Sequence, residues 1–231
     1  SMLFNKLQEL ISPGISTYDI NMFSKELIEK SGAIPSFLNY GKPPFPGAIC
    51  TSINDEVVHG IPSRKRILKN GDIISIDAGA YLNGFHSDAA RTFPVGNISD
   101  EAKKLIKVTR ECFFIGAKEL QEGNRISDVS SQIEKHAGSF GYGIVRELTG
   151  HGIGRDLHES PDVPNFKTIN NGLRIRQGLV VAIEPMINYG SRNVRILEDD
   201  WTIATADGSI SAHYENTVAV TDKGPLILTE I

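Results

Sequence analysis

Two apolar runs in this chain each end on an acid. Gly71-Asp72-Ile73-Ile74-Ser75-Ile76-Asp77 is echoed by Gly178-Leu179-Val180-Val181-Ala182-Ile183-Glu184, with the acid six residues after the glycine in both. β-Branched runs behind a glycine turn read as buried strands. A carboxylate at the end of such a strand is costly unless an arginine or a metal ion pairs with it. The segment from Ile67 to Thr92 reads as two strands joined by Asn83-Gly84, a strong hairpin signal. That turn sets Leu82 opposite Phe85 and Gly79 opposite Asp88, so Asp77 and Asp88 point to one sheet face. Their diagonal separation is roughly 7–8 Å, less at the side-chain tips. Two carboxylates so placed repel each other, and a divalent cation between them removes the repulsion.

Three further candidates extend the set. His151 lies in Gly150-His151-Gly152-Ile153-Gly154, Glu184 precedes Pro185, and Glu215 leads into the strand Val218-Ala219-Val220. Each alone is an ordinary core histidine or solvated acid. Together, four carboxylates and one imidazole suit two divalent ions of the Mn, Co, Fe or Zn type better than a closed structural zinc site, which prefers cysteine. Two such ions can activate a water and polarise a carbonyl, so hydrolysis is the natural reaction class. His86 and His213 sit beside these candidates on what read as alternating strand positions, and are expected to point away. His136 reads as a helix-surface residue.

The elements that must position these groups follow from patterning. Residues 3–11 suit a short helix. Ser16 caps the next, with Asp19 three residues on, Ile20, Phe23, Leu27 and Ile28 on one face, and Gly32 at its end. Residues 35–50, rich in Pro and Gly, read as a surface loop. Residues 100–120 and 128–140 read as amphipathic helices capped by Ser99 and Ser127, the second with Val129, Ile133, Ala137 and Phe140 on one face. A mostly β segment runs to the C-terminus. An internal repeat is visible: helices followed by strands occur twice, and His59-Gly60-Ile61 recurs as His151-Gly152-Ile153. It implies two related halves around one site.

At 231 residues, 40% hydrophobic and 23% charged, the chain fits a soluble globular class. A net charge of -4 without a basic run gives no sign of nucleic-acid binding. No apolar stretch is long enough to span a membrane, and no secretory signal is visible. Two cysteines, Cys50 and Cys112, cannot form a disulfide framework, so a reducing cytoplasmic setting is expected. Ser1 ahead of Met2 reads as a cloning remnant.

Six segments carry a family resemblance: Asn54 to Pro62, Ile76 to Gly79, Ser87-Asp88, Gly150 to Gly154, Ile183 to Met186 and Tyr214 to Thr217. Their motifs and order, from about residue 10 to the end, resemble type I methionine aminopeptidase. The resemblance implies an α/β (α+β) pita-bread fold: one catalytic domain over 1–231, with pseudo-twofold halves at about 3–95 and 100–231 and a curved, antiparallel-rich sheet flanked by helices. It implies that Asp77 chelates one ion, that Asp88 and Glu215 bridge two, and that His151 and Glu184 complete the other shell. Glu184 also takes the proton of the water that attacks the first peptide carbonyl. His158 donates to the oxyanion or scissile amide oxygen, and His59 contacts the peptide nitrogen. Tyr40, Phe45, Cys50, Leu157 and Trp201 wall the methionine pocket, and the residue after methionine must be small. The implied partner is the N-terminal methionine of nascent chains, with transient ribosome contact; a monomer is expected.

The chain departs from the family pattern in places. It begins late, without the usual first charged helix, which would expose one face of the fold. The Tyr40–Phe45 loop is two residues longer than is common, and Leu157 stands where an aromatic is frequent. No zinc-finger extension or large helical insertion is present, which favours a bacterial or organellar form. Two rivals share the fold: a proline-directed aminopeptidase P or prolidase, and a catalytically inactive binding module.

Overall fold

Strand alternation divides the central sheet into a greasy face and a polar face. The computed structural model describes residues 2–230. On the strand Ile73–Leu82, Ile74 and Ile76 enter a core with Phe4, Leu7, Ile20 and Ile28, while Ser75 and Asp77 take the opposite face. The core partners come from helices α1 (Met2–Leu10) and α2 (Thr17–Lys30). In the second half, helices α3 (Asp100–Lys118) and α4 (Ile126–Ser139) cover the same face through Val181, Ile183, Val218 and Val220. The helices thus leave one face of the sheet for chemistry.

The sheet has nine strands. Its main order is Ile34–Pro35, Ile73–Leu82, Phe85–Pro94, Glu215–Thr221, Val180–Ile183, Gly150–Gly152 and Glu159–Val163. Cys50–Ile53 also pairs with Ile73–Leu82, and Gly224–Ile227 with Glu215–Thr221; all pairings are antiparallel. The strands Ile73–Leu82 and Val180–Ile183 flank the central pair; Glu184 follows the end of the second, but Asp77 falls in the middle of the first, because the hairpin pairing continues past it to the Asn83-Gly84 turn. The His-Gly-Ile echo does not extend to equivalent places: His59 lies outside any strand, whereas His151 lies within one. Two three-stranded sheets complete the architecture. One joins Ser211–His213, Met186–Asn188 and Gly143–Ile144; the other joins Val194–Ile196, Ile203–Thr205 and Glu56–Val58.

Local signals set most boundaries. Ser16 accepts from the Asp19 backbone N–H at 3.1 Å, and Ser99 from that of Ala102 at 3.1 Å, so both cap as their sequence context requires. The hairpin begins at Ile73 rather than Ile67. Ser127 is not a cap: α4 begins one residue earlier, at Ile126. Its first-turn donors are taken by the chain itself, Ile126 N–H by Leu173 C=O and Ser127 N–H by Asn171 C=O, while Asp128 accepts from Arg125 N–H. Phe140 is also off the buried face, 37% exposed and stacked on Tyr142. His136 bridges the two helices, its Nε2 3.0 Å from Glu111 Oε2.

Phe113 on α3 is fully buried, with ring centroids 5.1 Å from Phe114 and 5.4 Å from Tyr214. Truncating it leaves a cavity behind the strand junction at Tyr214. Phe113→Ala is expected to lose about 3–5 kcal/mol in urea denaturation; a loss below about 1 kcal/mol would mean that this packing contributes little.

Candidate metal centre

The Asn83-Gly84 turn gives both residues positive φ, +52° and +89°, and fixes the predicted register. Asp77 then stands opposite Ala90, and Ala90 stands opposite Glu215 on its other side. Three neighbouring strands therefore present Asp77, Ala90 and Glu215 in one row on the helix-free face. The buried methyl of Ala90 leaves a gap between the two carboxylates. Asp88 lies one pleat further along on the same face, its carboxyl facing that of Asp77. Thr217 holds its backbone: Asp88 N–H donates to Thr217 Oγ1, and the Thr217 hydroxyl donates to Asp88 C=O, both at 2.9 Å.

Glu184 and Glu215 both sit where the chain passes from the large sheet to a small one. Val180–Ile183 and Glu215–Thr221 pair in the large sheet, while Met186 and His213 pair in the small one. Pro185 and Tyr214 mark the crossing, with Tyr214 N–H donating to Pro185 C=O at 3.3 Å. His151 reaches the site from the strand beside Val180–Ile183. That approach needs its glycines: a Cβ on Gly150 would lie 2.4 Å from Ala182 O, and one on Gly152 2.3 Å from Ser160 O. His151 Nδ1–H donates to Gly152 C=O at 2.9 Å, which leaves Nε2 with its lone pair 3.5 Å from Glu184 Oε1.

These side chains form a seat for cations. Ligand atoms of Asp88, His151 and Glu215 all lie within 4.8 Å of one another, as do those of Asp77, His213 and Glu215. Asp77 Oδ1 and Glu215 Oε1 are buried without a hydrogen-bond partner, the condition a bound cation relieves. Burial raises Glu184, Glu215 and Asp77 well above the usual carboxylate range, and neighbouring carboxylates, Asp88 first, add to it. Burial alone pushes Asp88 up to about 7. An oxygen-rich, partly orphaned set with one oriented imidazole fits hard or borderline divalent ions.

His213 corrects the sequence reading. It is two residues from Glu215, and positions i and i+2 share a face. Its Nε2 lies 3.8 Å from Glu215 Oε2 and 4.0 Å from Glu184 Oε2. His86 also shares a face with Asp88, but it sits nearer the turn and its Nδ1 pairs with Ser36 Oγ at 2.9 Å, away from the cluster.

Over the carboxylates opens a cavity of about 170 Å³, lined by Tyr40, Phe45, Cys50, His59, His158 and Trp201 of the predicted residues. Leu157 is buried in the adjoining apolar cluster and is not itself on the cavity wall. Phe37, Val58, Leu148 and Thr149 also line it; of these only Val58, an apolar residue next to His59, carried a signal. The Tyr40–Phe45 loop packs on Trp201, whose Nε1–H donates to Pro43 C=O at 3.1 Å. His59 has φ +60°, a strained backbone that directs its ring edge-on to Trp201. Burial lowers both His59 and His158 to about 4, so both are neutral near pH 7. Tyr40 Oη lies 2.5 Å from His158 Nδ1.

Comparison with known proteins agrees with this geometry. The model of metallopeptidase family M24 matches residues 1–222, and the chain belongs to that family. A methionine aminopeptidase of Clostridium acetobutylicum is 53% identical over 97% of this chain and 89% of its own length. Methionine aminopeptidase 1 of Bacillus subtilis is 48% identical over 100% and 92%. The crystal structure of a Thermotoga maritima methionine aminopeptidase superposes with a TM-score of 0.96 at 39% identity, covering 100% of this chain and 92% of that one. Within the family the chain is therefore a type I methionine aminopeptidase, with the pita-bread fold. Among the described residues no helix is long and apolar enough to cross a membrane.

The acid cluster sets a pH response in metal-stripped protein. Carboxyls raised in the folded state keep protons that the unfolded chain, near pKa 4, has released. Their contribution favours the folded state at low pH and is lost as pH rises through the folded values. Above about pH 7.5 the histidines are neutral in both states, and the slope comes from the raised carboxyls together with the thiols of Cys50 and Cys112, which burial also raises. Thermal melts of metal-free protein are expected to shift downward between about pH 7.5 and 9, and saturating Mn(II) to reduce the shift by removing the carboxyl contribution while leaving that of the thiols. A metal-free Tm that rises over this window would contradict the buried cluster.

Proposed function

We propose that this chain removes the N-terminal methionine from peptides and nascent proteins whose second residue is small. The observation that carries the reading is the convergence of Asp77, Asp88, His151, Glu184 and Glu215 on the floor of an apolar cavity. The five would hold two divalent ions of the Mn, Co, Fe or Zn type. Such ions supply polarisation of the first peptide carbonyl and a water acidified toward neutral pH. Glu184 takes the proton of the attacking water and returns it toward the leaving amine. His59, neutral and aimed by its backbone, contacts the peptide nitrogen. His158 donates to the oxyanion: with the Tyr40 hydroxyl donating to Nδ1, the ring hydrogen stays on Nε2.

Methionine is selected by shape. Phe45, Cys50, Tyr40 and Trp201, backed by Leu157, offer apolar walls, and such pockets discriminate by roughly 1–3 kcal/mol per methylene. The same reading sets the enzyme in the cytoplasm, as a monomer acting on chains as they leave the ribosome.

Cleavage by stripped protein after re-addition of Mn, Co or Fe tests the activity. Met-Ala-Ser is expected to release methionine only with metal, an X-Pro peptide to remain intact, and Asp88→Ala to lose at least about 100-fold in kcat/KM. Preferential X-Pro cleavage would move the chain to the proline-directed branch, and metal binding with no cleavage of either to a binding module. Tyr40→Phe removes one neutral hydrogen bond from His158 and is expected to lower kcat about 5- to 10-fold. An unchanged kcat would free His158 from that dependence.

A further inference from the structure

We propose that His213 is a positioning residue of the metal centre: its imidazole N–H is directed at Oε2 of both Glu184 and Glu215 and orients these two carboxylates for the ions. The proposal rests on the metal-centre reading above and assigns a sixth side chain to it.

Geometry places the ring behind the carboxylates rather than in the cavity. His213 is 1% exposed, and it is absent from the cavity wall that the five proposed ligands share. Its Nε2 faces Oε2 of both glutamates, at 3.8 Å from Glu215 and 4.0 Å from Glu184. Glu184 Oε1 faces instead His151 Nε2, at 3.5 Å, and Glu215 Oε1 is buried without a partner. Each glutamate thus has Oε2 as the oxygen nearest the ring. Both ring nitrogens of His213 are buried and unpartnered, and Nε2 stands just beyond hydrogen-bond reach of those oxygens. An imidazole always carries at least one N–H, and a buried donor beside two carboxylates has no cheaper use.

The backbone that carries the ring is fixed. The Thr92 hydroxyl accepts from His213 N–H and donates to His213 C=O, both at 2.9 Å, and its remaining lone pair takes Ser75 Oγ–H at 2.8 Å. One hydroxyl uses its full capacity to lock His213 to the strand that bears Asp88. Pairing with Met186 ties the same residue to the strand that follows Glu184. The ring therefore stands at a fixed distance from both glutamates, as an outer partner of ligating carboxylates does.

Mn(II) affinity of the stripped full chain, by isothermal titration, tests this with H213Q, H213N and H213L. Glutamine carries a donor that reaches as far as the ring; asparagine is one methylene short, and leucine has no donor. H213N and H213L are expected to bind Mn(II) about 10- to 100-fold more weakly, and H213Q to recover most of the loss. The Co(II) absorption bands of H213Q are expected at wild-type positions, because no ligand is removed. Equal affinities for H213Q and H213N would overturn the proposal, and that contrast stands even where H213L does not fold. Displaced Co(II) bands in H213Q would make His213 a ligand and also overturn it. A wild-type protein that binds Mn(II) but does not cleave Met-Ala-Ser would defeat the proposed activity and leave the affinity comparison intact.

Discussion

Four carboxylates held in one desolvated space are the constraint that the rest of this structure serves. Unpaired, such groups repel one another and oppose folding. The chain holds in place the main chain that carries them: Asp77 is paired with Cys50 and Ala90 on neighbouring strands, and buried side chains fix the other three. Thr217 holds Asp88 at both its N–H and C=O, Asn165 Nδ2–H donates to Glu184 C=O at 3.0 Å, and Arg91 donates to Glu215 C=O. With the main chain immobilised, the acids cannot swing apart, and the favourable resolution left is a cation. The raised proton affinities of Asp77, Glu184 and Glu215 are the same frustration expressed through protons.

The sheet makes that placement by register and by omission. Antiparallel pairing sets Asp77 and Glu215 two strands apart with only a methyl between them. Gly150 and Gly152 remove the side chains that would keep His151 away. Helices occupy the other face throughout, so the polar face is closed by loops and small sheets, whose aromatic residues Phe45 and Trp201 pack edge to face at 5.2 Å. Strands hold the charged groups; the loop from Tyr40 to Phe45 shapes the apolar wall. This division suits a site in which ligand distances tolerate little error and pocket shape tolerates more.

Where the determinants are local, the sequence is legible. Asn83-Gly84 dictates a turn, the turn dictates register, and register places Asp77 and Asp88 on one face without reference to the rest of the chain. Ser16 and Ser99 cap helices for equally local reasons. Ser127 fails because its helix is started by residues 171–173, more than forty positions away, which no pattern near Ser127 reveals. Phe140 fails because a helix end lets a ring turn outward onto Tyr142. His213 was legible in principle: its spacing from Glu215 assigns it to the same face, although the change of sheet at Tyr214 hides that the two form one wall. The union of both halves over one cavity rests mainly on the family resemblance, since no single segment encodes it.

The row of Asp77, Ala90 and Glu215 has a mechanical side. Its acids come from position 77 in the first half and position 215 near the end of the chain, so an ion seated between them ties together segments that are joined covalently only through a long excursion. Such a tie behaves as a removable crosslink: it restricts the separated halves as a disulfide would, but opens with the availability of free metal rather than with redox state. The centre is then a buckle across the molecule, and the supply of ions governs how tightly the two halves are fastened.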